Sequence, residues 1–346
     1  MASALLNGPS PAQNGCYDTD LTLAYLAKPI WCRPQMTIGT LVSDVPAAAT
    51  LVSTVQADAP LRGTSADDWR GFGVLAGGKG YAPTPMGQVH YRDLGPREDH
   101  QPIVLLHQSP MSMLQFADVQ NALAEMGIRS IAIDTPGYGL SDPPQRQPSI
   151  KDYGETLVYV LDDLKVAKVL IAGHHTGAAI GASFAADHPE RVTAILLHGV
   201  PQLTTAEASD HPSLHPEPRI PVADGSHLSG SFQPRTPPDQ PAILEARTWM
   251  TIIGYVSGPN LAHWAVFHYD MQPDLMALKG PGLILSDTAD SLHPIDKRVA
   301  KMRPDFEYLE FSQGSIFAFM AEPKRWARIA ADFKRRIDAT RPSVLV

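Results

Sequence analysis

The pattern of apolar and polar positions changes character near residue 80. Before it, Asn, Gly, Pro, Ser and Thr break up the chain and no period is sustained, which predicts a partly irregular N-terminal extension over residues 1–70. After it, short unbroken apolar runs alternate with longer stretches of helical spacing. "PIVLLH" (102–107), "RSIAIDTPG" (129–137), "KVLIAG" (168–173) and "RVTAILLHG" (191–199) read as buried strands. "GQVHYRDLG" (87–95) reads as an edge hairpin strand and "GGKG" (77–80) as a turn. Between the strands, "QFADVQNALAEMG" carries a Gly stop at Gly127, "SIKDYGETLVYVLDDLK" has a Ser/Asp start, and residues 176–187 form an Ala-rich helix. Strand and helix in alternation predict an α/β fold with right-handed crossovers and a mostly parallel sheet.

Residues 201–241 break that rhythm with nine prolines, so no central strand runs there. Two aromatic-rich helical stretches follow, "AILEARTWMTIIGYVSG" and "NLAHWAVFHYDM". The α/β rhythm then resumes with "GLILSD", "PIDKRVAKM", "FEYLEF" and "PKRWARIAADFKRRI". The predicted division is a core of residues 71–200 and 276–346, interrupted after its fourth clear strand by a Pro-rich and helical cap over residues 201–275. Such a cap would cover the C-terminal edge of the sheet, where open α/β folds bind ligands.

Composition narrows the function classes. The formal net charge of −8 argues against nucleic acid as a partner. Cys16 and Cys32 make no disulfide framework and are too few for a structural zinc site, so two unpaired thiols are expected. The N-terminus lacks a basic region followed by an apolar run, and Asp44 and Pro46 interrupt the apolar stretch near residues 36–56. The expectation is a cytoplasmic chain with no membrane partner. No phosphate-binding Gly-rich loop is present and no cofactor is expected. Oligomeric state is open, a homodimer included.

Four stretches carry a resemblance: "LLHQSP", "DTPGYGLSD", "GHHTG" and "LSDTADSLHP", in that order. Together they resemble the α/β-hydrolase superfamily, in its capped branch of epoxide hydrolases, haloalkane dehalogenases and carbon–carbon bond hydrolases. The resemblance covers roughly residues 80–340. "GHHTG" has the shape of a nucleophile elbow, which needs small residues two before and two after its central position because strand turns sharply into helix there. Gly173 and Gly177 meet that need. The central residue is His175, where the family carries Ser, Asp or Cys.

The family's chain order of nucleophile, acid and histidine implies an acid after "GLILSD". Asp290 fits best and Asp287 is a nearer competitor. The histidine is expected just after "FEYLEF", where this chain reads "SQGSIFAFMAEP" and Ser315 occupies the slot. Two roles are exchanged together. The reading is a permuted triad: Ser315 as nucleophile, His175 as general base, Asp290 as orienting acid. The chemistry needs only a hydroxyl within reach of an imidazole whose tautomer a third group fixes. The resemblance implies oxyanion donors at the backbone N–H groups of Gln108 and Thr176. The substrate expected is a small, partly apolar ester, lactone or activated carbonyl.

Two other readings stay open. His175 acts alone as a base in a cofactor-free lyase or isomerase, or the chain binds a ligand without turning it over. His107 is expected to be structural, beside the oxyanion loop. His174 is expected to pack; a metal on the His174–His175 pair is not expected, since adjacent strand residues point to opposite faces. In the cap, "DGSHL" makes His227 a minor candidate for the pocket, and Trp249 and Trp264 are candidate lining residues among a mainly structural aromatic set.

Overall fold

The computed structural model describes residues 78–209, 220–229, 241–257, 260–311 and 317–340. Cys16, Cys32 and Ser315 lie outside the described residues. Among the described residues, eight strands form one sheet in the order β1-β2-β4-β3-β5-β6-β7-β8. Their ranges are β1 Lys79–Thr84, β2 Gly87–Leu94, β3 Ile103–Leu106, β4 Ser130–Ile133, β5 Val169–His174, β6 Val192–His198, β7 Gly282–Asp287 and β8 Glu307–Phe311. From β4 to β8 every neighbouring pair is parallel; β2 runs antiparallel to both β1 and β4.

The sequence reading misses β1. The turn expected at 77–80 instead leads into it, and "GQVHYRDLG" lies one strand in from the edge. β1 contains Pro83 and is mostly exposed, so its composition hides its pairing. At the far edge β8 has only Phe311 buried.

Helices cover both faces. α1 spans Ala117–Glu125, α2 Ile150–Asp163 and α3 Thr176–Asp187. Between β6 and β7 come α4 Thr205–Ser209, α5 Ser226–Ser229, α6 Pro241–Val256, α7 Leu261–Phe267 and α8 Gln272–Ala277. After β7 come α9 His293–Met302, α10 Ala318–Ala321 and α11 Pro323–Ala339. α2 starts at a capping box: the Ser149 hydroxyl accepts from the Asp152 N–H and the Asp152 carboxylate accepts from the Ser149 N–H.

Strand alternation splits the core in two. Val104, Leu106, Ile171, Ile195 and Leu197 face the layer built with α2, α3, α7 and α8. Ile103, Leu105, Leu170, Ala172 and Leu196 face the layer of α1, α10 and α11. The helices between β6 and β7 are tied to the loop after β4. The Tyr138 hydroxyl bonds Asn260, the Ala262 N–H donates to the Tyr138 oxygen at 3.2 Å, and the Gln147 side chain donates to the Leu261 carbonyl at 3.0 Å. Among the described residues no helix is long and apolar enough to cross a membrane.

Candidate active site

The site begins at the β5–α3 turn. His175 sits there with φ 49° and ψ −114°, left-handed backbone that costs a non-glycine residue about 1–3 kcal/mol. The flanking glycines are sterically required. A Cβ on Gly173 would lie 2.2 Å from the Gly177 carbonyl oxygen, and one on Gly177 would lie 2.1 Å from that of Leu106. The turn lifts the His175 ring to the end of the sheet, where its side chain keeps 21% exposure.

Asp290 meets it from the loop after β7. Its Oδ2 lies 2.5 Å from His175 Nε2, and its Oδ1 accepts from the Leu292 N–H at 3.0 Å. The carboxylate is fully buried. Burial pushes its pKa up, but the facing His175 charge and the hydrogen bonds from His175 and Leu292 outweigh that and hold it below the usual carboxylate value. An ionised Asp290 accepts from Nε2–H, so the neutral ring keeps its lone pair on Nδ1. Gly199 makes room for the pair: a Cβ there would stand 2.5 Å from His175 Cδ2 and 3.1 Å from Asp290 Oδ2. Sequence reasoning missed Gly199; the available signal was a glycine directly after the β6 apolar run.

The competitor Asp287 is placed elsewhere. It is fully buried, 3.8 Å from His198 Nε2, and burial pushes its carboxyl up. His198 Nδ1 accepts from Trp326 Nε1–H at 3.1 Å, which puts the ring proton on Nε2, toward Asp287.

His174 packs as expected, but not on the opposite face from His175. Strand alternation does send it toward α10, where it meets Phe319 and His198 edge-on. Yet its ring also stacks on that of His175 at 4.2 Å, because the chain has left strand geometry at the next residue. The opposite-faces argument therefore fails at this dipeptide. One ligand atom from each of His174, His175 and Asp290 lies within 4.8 Å of the other two.

His107 is structural. Its Nε2 accepts from the Thr135 N–H at 2.9 Å, and its Nδ1–H donates to the Gln108 carbonyl at 2.7 Å. Burial lowers its pKa, so the ring stays neutral. The first aspartate of "DTPGYGLSD" is likewise a scaffold: Asp134 accepts from the Met113 and Leu140 N–H groups and from His90 Nδ1. The loop after β3 meets the start of α3, with the Ser109 N–H donating to the Thr176 hydroxyl at 3.3 Å. As the first residue of α3, Thr176 has no intrahelical acceptor for its N–H. The Gln108 N–H points to Gln115 Oε1 at 3.4 Å, a weak bond.

From α6, Met250 lies 3.7 Å from the Gln108 side chain, and the neighbouring Trp249 packs against both core layers. Trp264 instead stacks on His268 and lines a hollow of about 520 Å³ whose walls include neither His175 nor Asp290. His227 is engaged within the insertion: its Nδ1 accepts from the Val222 N–H at 3.3 Å and its ring lies against Tyr255.

A family model for the alpha/beta hydrolase fold matches residues 101–221. The chain has the α/β-hydrolase fold. The AB hydrolase superfamily protein YisY of Bacillus subtilis is 25% identical over 67% of this chain and 91% of its own length. A 2-hydroxy-6-oxononadienedioate/2-hydroxy-6-oxononatrienedioate hydrolase of Burkholderia vietnamiensis is 34% identical over 32% of this chain, and that match spans only 40% of the relative. A carboxylesterase structure from Nitrososphaera gargenis superposes with a TM-score of 0.64 at 19% identity, covering 76% of this chain and all of that one, a likeness of fold. In this chain the residue at the turn after β5 is a histidine hydrogen-bonded to the aspartate after β7.

Proposed function

We propose that the chain is a cofactor-independent hydrolase acting on an ester, lactone or activated carbonyl of a small, partly apolar molecule. The observation that carries this reading is the His175–Asp290 pair at 2.5 Å on the elbow. The related hydrolase and the carboxylesterase of the same fold support the reaction class.

In the proposed reaction Ser315 is the nucleophile. Its hydroxyl proton goes to His175 Nδ1 as its oxygen bonds the substrate carbonyl. Asp290 stabilises the imidazolium through Nε2–H. The Thr176 N–H donates to the developing oxyanion, joined by that of Gln108 once it leaves its weak bond to Gln115. Collapse breaks the carbonyl–leaving-group bond, and His175 returns the proton to the departing oxygen. Water then attacks the acyl-enzyme with His175 again as base. In the usual triad the acid holds Nδ1 and Nε2 is the base; here the nitrogens exchange roles along with the residues.

Turnover of short-chain nitrophenyl esters tests this. Ser315→Ala and His175→Ala should each lower kcat/KM by about 10³-fold or more, and by similar amounts, since triad members act as a unit. Wild-type turnover by Ser315→Ala would remove the serine from the mechanism. A second reading is then preferred: a cofactor-free lyase or isomerase with His175 as base. It is favoured by the histidine–aspartate pair needing no serine to fix its tautomer.

A further inference from the structure

We infer that His174, His175 and Asp290 form a binding site for one divalent transition-metal ion of the zinc class. Two imidazoles and one carboxylate converge, with one ligand atom from each lying within 4.8 Å of the other two. That donor set suits zinc, cobalt or iron(II), with open positions left for water or substrate. The second observation is His174 itself. It is fully buried, and neither of its ring nitrogens has a hydrogen-bond partner. Buried polar atoms are normally paired, and an unpaired one costs about 1–3 kcal/mol. A ligand supplied from outside would pair one of them.

Bonds of about 2.0–2.1 Å in tetrahedral geometry place ligand atoms about 3.3 Å apart. Metal binding therefore requires the stacked rings to turn, which closes the larger gaps and opens the 2.5 Å His175–Asp290 contact. The partial exposure of His175 gives the ion an entry side. The inference has a consequence that rests on the proposed function. A metal on His175 Nε2 moves the ring proton to Nδ1, and a metal on Nδ1 uses the lone pair directly. In either case the base is lost, so metal binding and general-base catalysis exclude each other at this residue.

The test titrates the full chain with Co²⁺ in the absence of substrate and reads its visible ligand-field bands. The expected result is one equivalent bound, displaced by Zn²⁺, with His174→Leu binding at least about 100-fold more weakly, a loss at or beyond the upper end of outer-shell substitutions. No bands at stoichiometric Co²⁺, or equal bands in His174→Leu, would overturn the site. Should His174→Leu fail to fold by circular dichroism, Asp290→Asn decides by the same bands: weakened in it, the site stands; unchanged, it falls. Zn²⁺ should also inhibit ester turnover, reversibly with a chelator. Bands without inhibition would support the site and count against His175 as the base.

Discussion

Two histidine–aspartate pairs lie side by side at the ends of β5, β6 and β7, and they are built differently. His175–Asp290 is at the rim: its contact is 2.5 Å, its carboxylate is also held by a backbone N–H, and its ring is part-exposed. His198–Asp287 lies beneath it, fully buried, at 3.8 Å, with neither carboxylate oxygen hydrogen-bonded. Asp290 is held below the ordinary carboxylate value, while burial lifts Asp287 above it. The contrast bears on the proposed mechanism. A base needs a fixed tautomer and access to substrate; of the two pairs, the rim pair has the short carboxylate contact and the part-exposed ring. The inner pair is framework, with Trp326 fixing the ring.

The largest expected effect contrasts the two acids. Asp290→Asn should lower kcat/KM for a hydrolysable ester by about 10²–10⁴-fold, the range of general acid–base catalysis. Asp287→Asn should leave it within about threefold, an order-of-magnitude bound for a group that faces neither substrate nor base. Equal losses would break the distinction. Next comes Gly199→Ala, whose methyl group enters the space of the His175 ring and whose φ of 63° disfavours alanine. It should cost about 10²-fold in kcat/KM by displacing the ring. A wild-type rate would mean that the ring position is unimportant.

Other effects fall on stability. His175→Gly removes a strained non-glycine residue and should raise unfolding stability by about 1 kcal/mol, read from the urea midpoint, while abolishing turnover. A loss of stability would show that the Asp290 contact outweighs the strain. A pH-dependent effect on stability concerns Asp296, which burial pushes up to about 7 from 3.8. The folded state keeps a proton that the unfolded chain has released. That stability is fully present below about 3.8 and is lost as pH rises through about 7. Asp296→Asn should flatten the slope of stability with pH across that window; an unchanged slope would contradict the assignment.

Much of the architecture was legible because it follows local rules. The apolar runs of β3 to β7, the capping box of α2 and the two elbow glycines need only neighbours in sequence to be recognised. Asp290 could be chosen over Asp287 by its offset from β7. Other features arise only when distant segments meet. Gly199 matters through a ring 24 positions earlier in the chain. The His174 ring reaches His175 because of a backbone bend that alternation cannot foresee. The His198–Asp287 pair joins two strands. Trp264 reads as a pocket residue because aromatic content does not reveal which hollow a helix faces, and His227 because a cluster of polar loop residues does not reveal what it meets.

The central claim is that the elbow histidine activates a serine standing in the histidine slot. The most direct measurement treats the full chain with a small fluorophosphonate and maps the adduct by intact mass and peptide analysis. The account predicts one adduct, on Ser315, that disappears in His175→Ala. An adduct on another residue, or labelling of Ser315 that persists in His175→Ala, would contradict it.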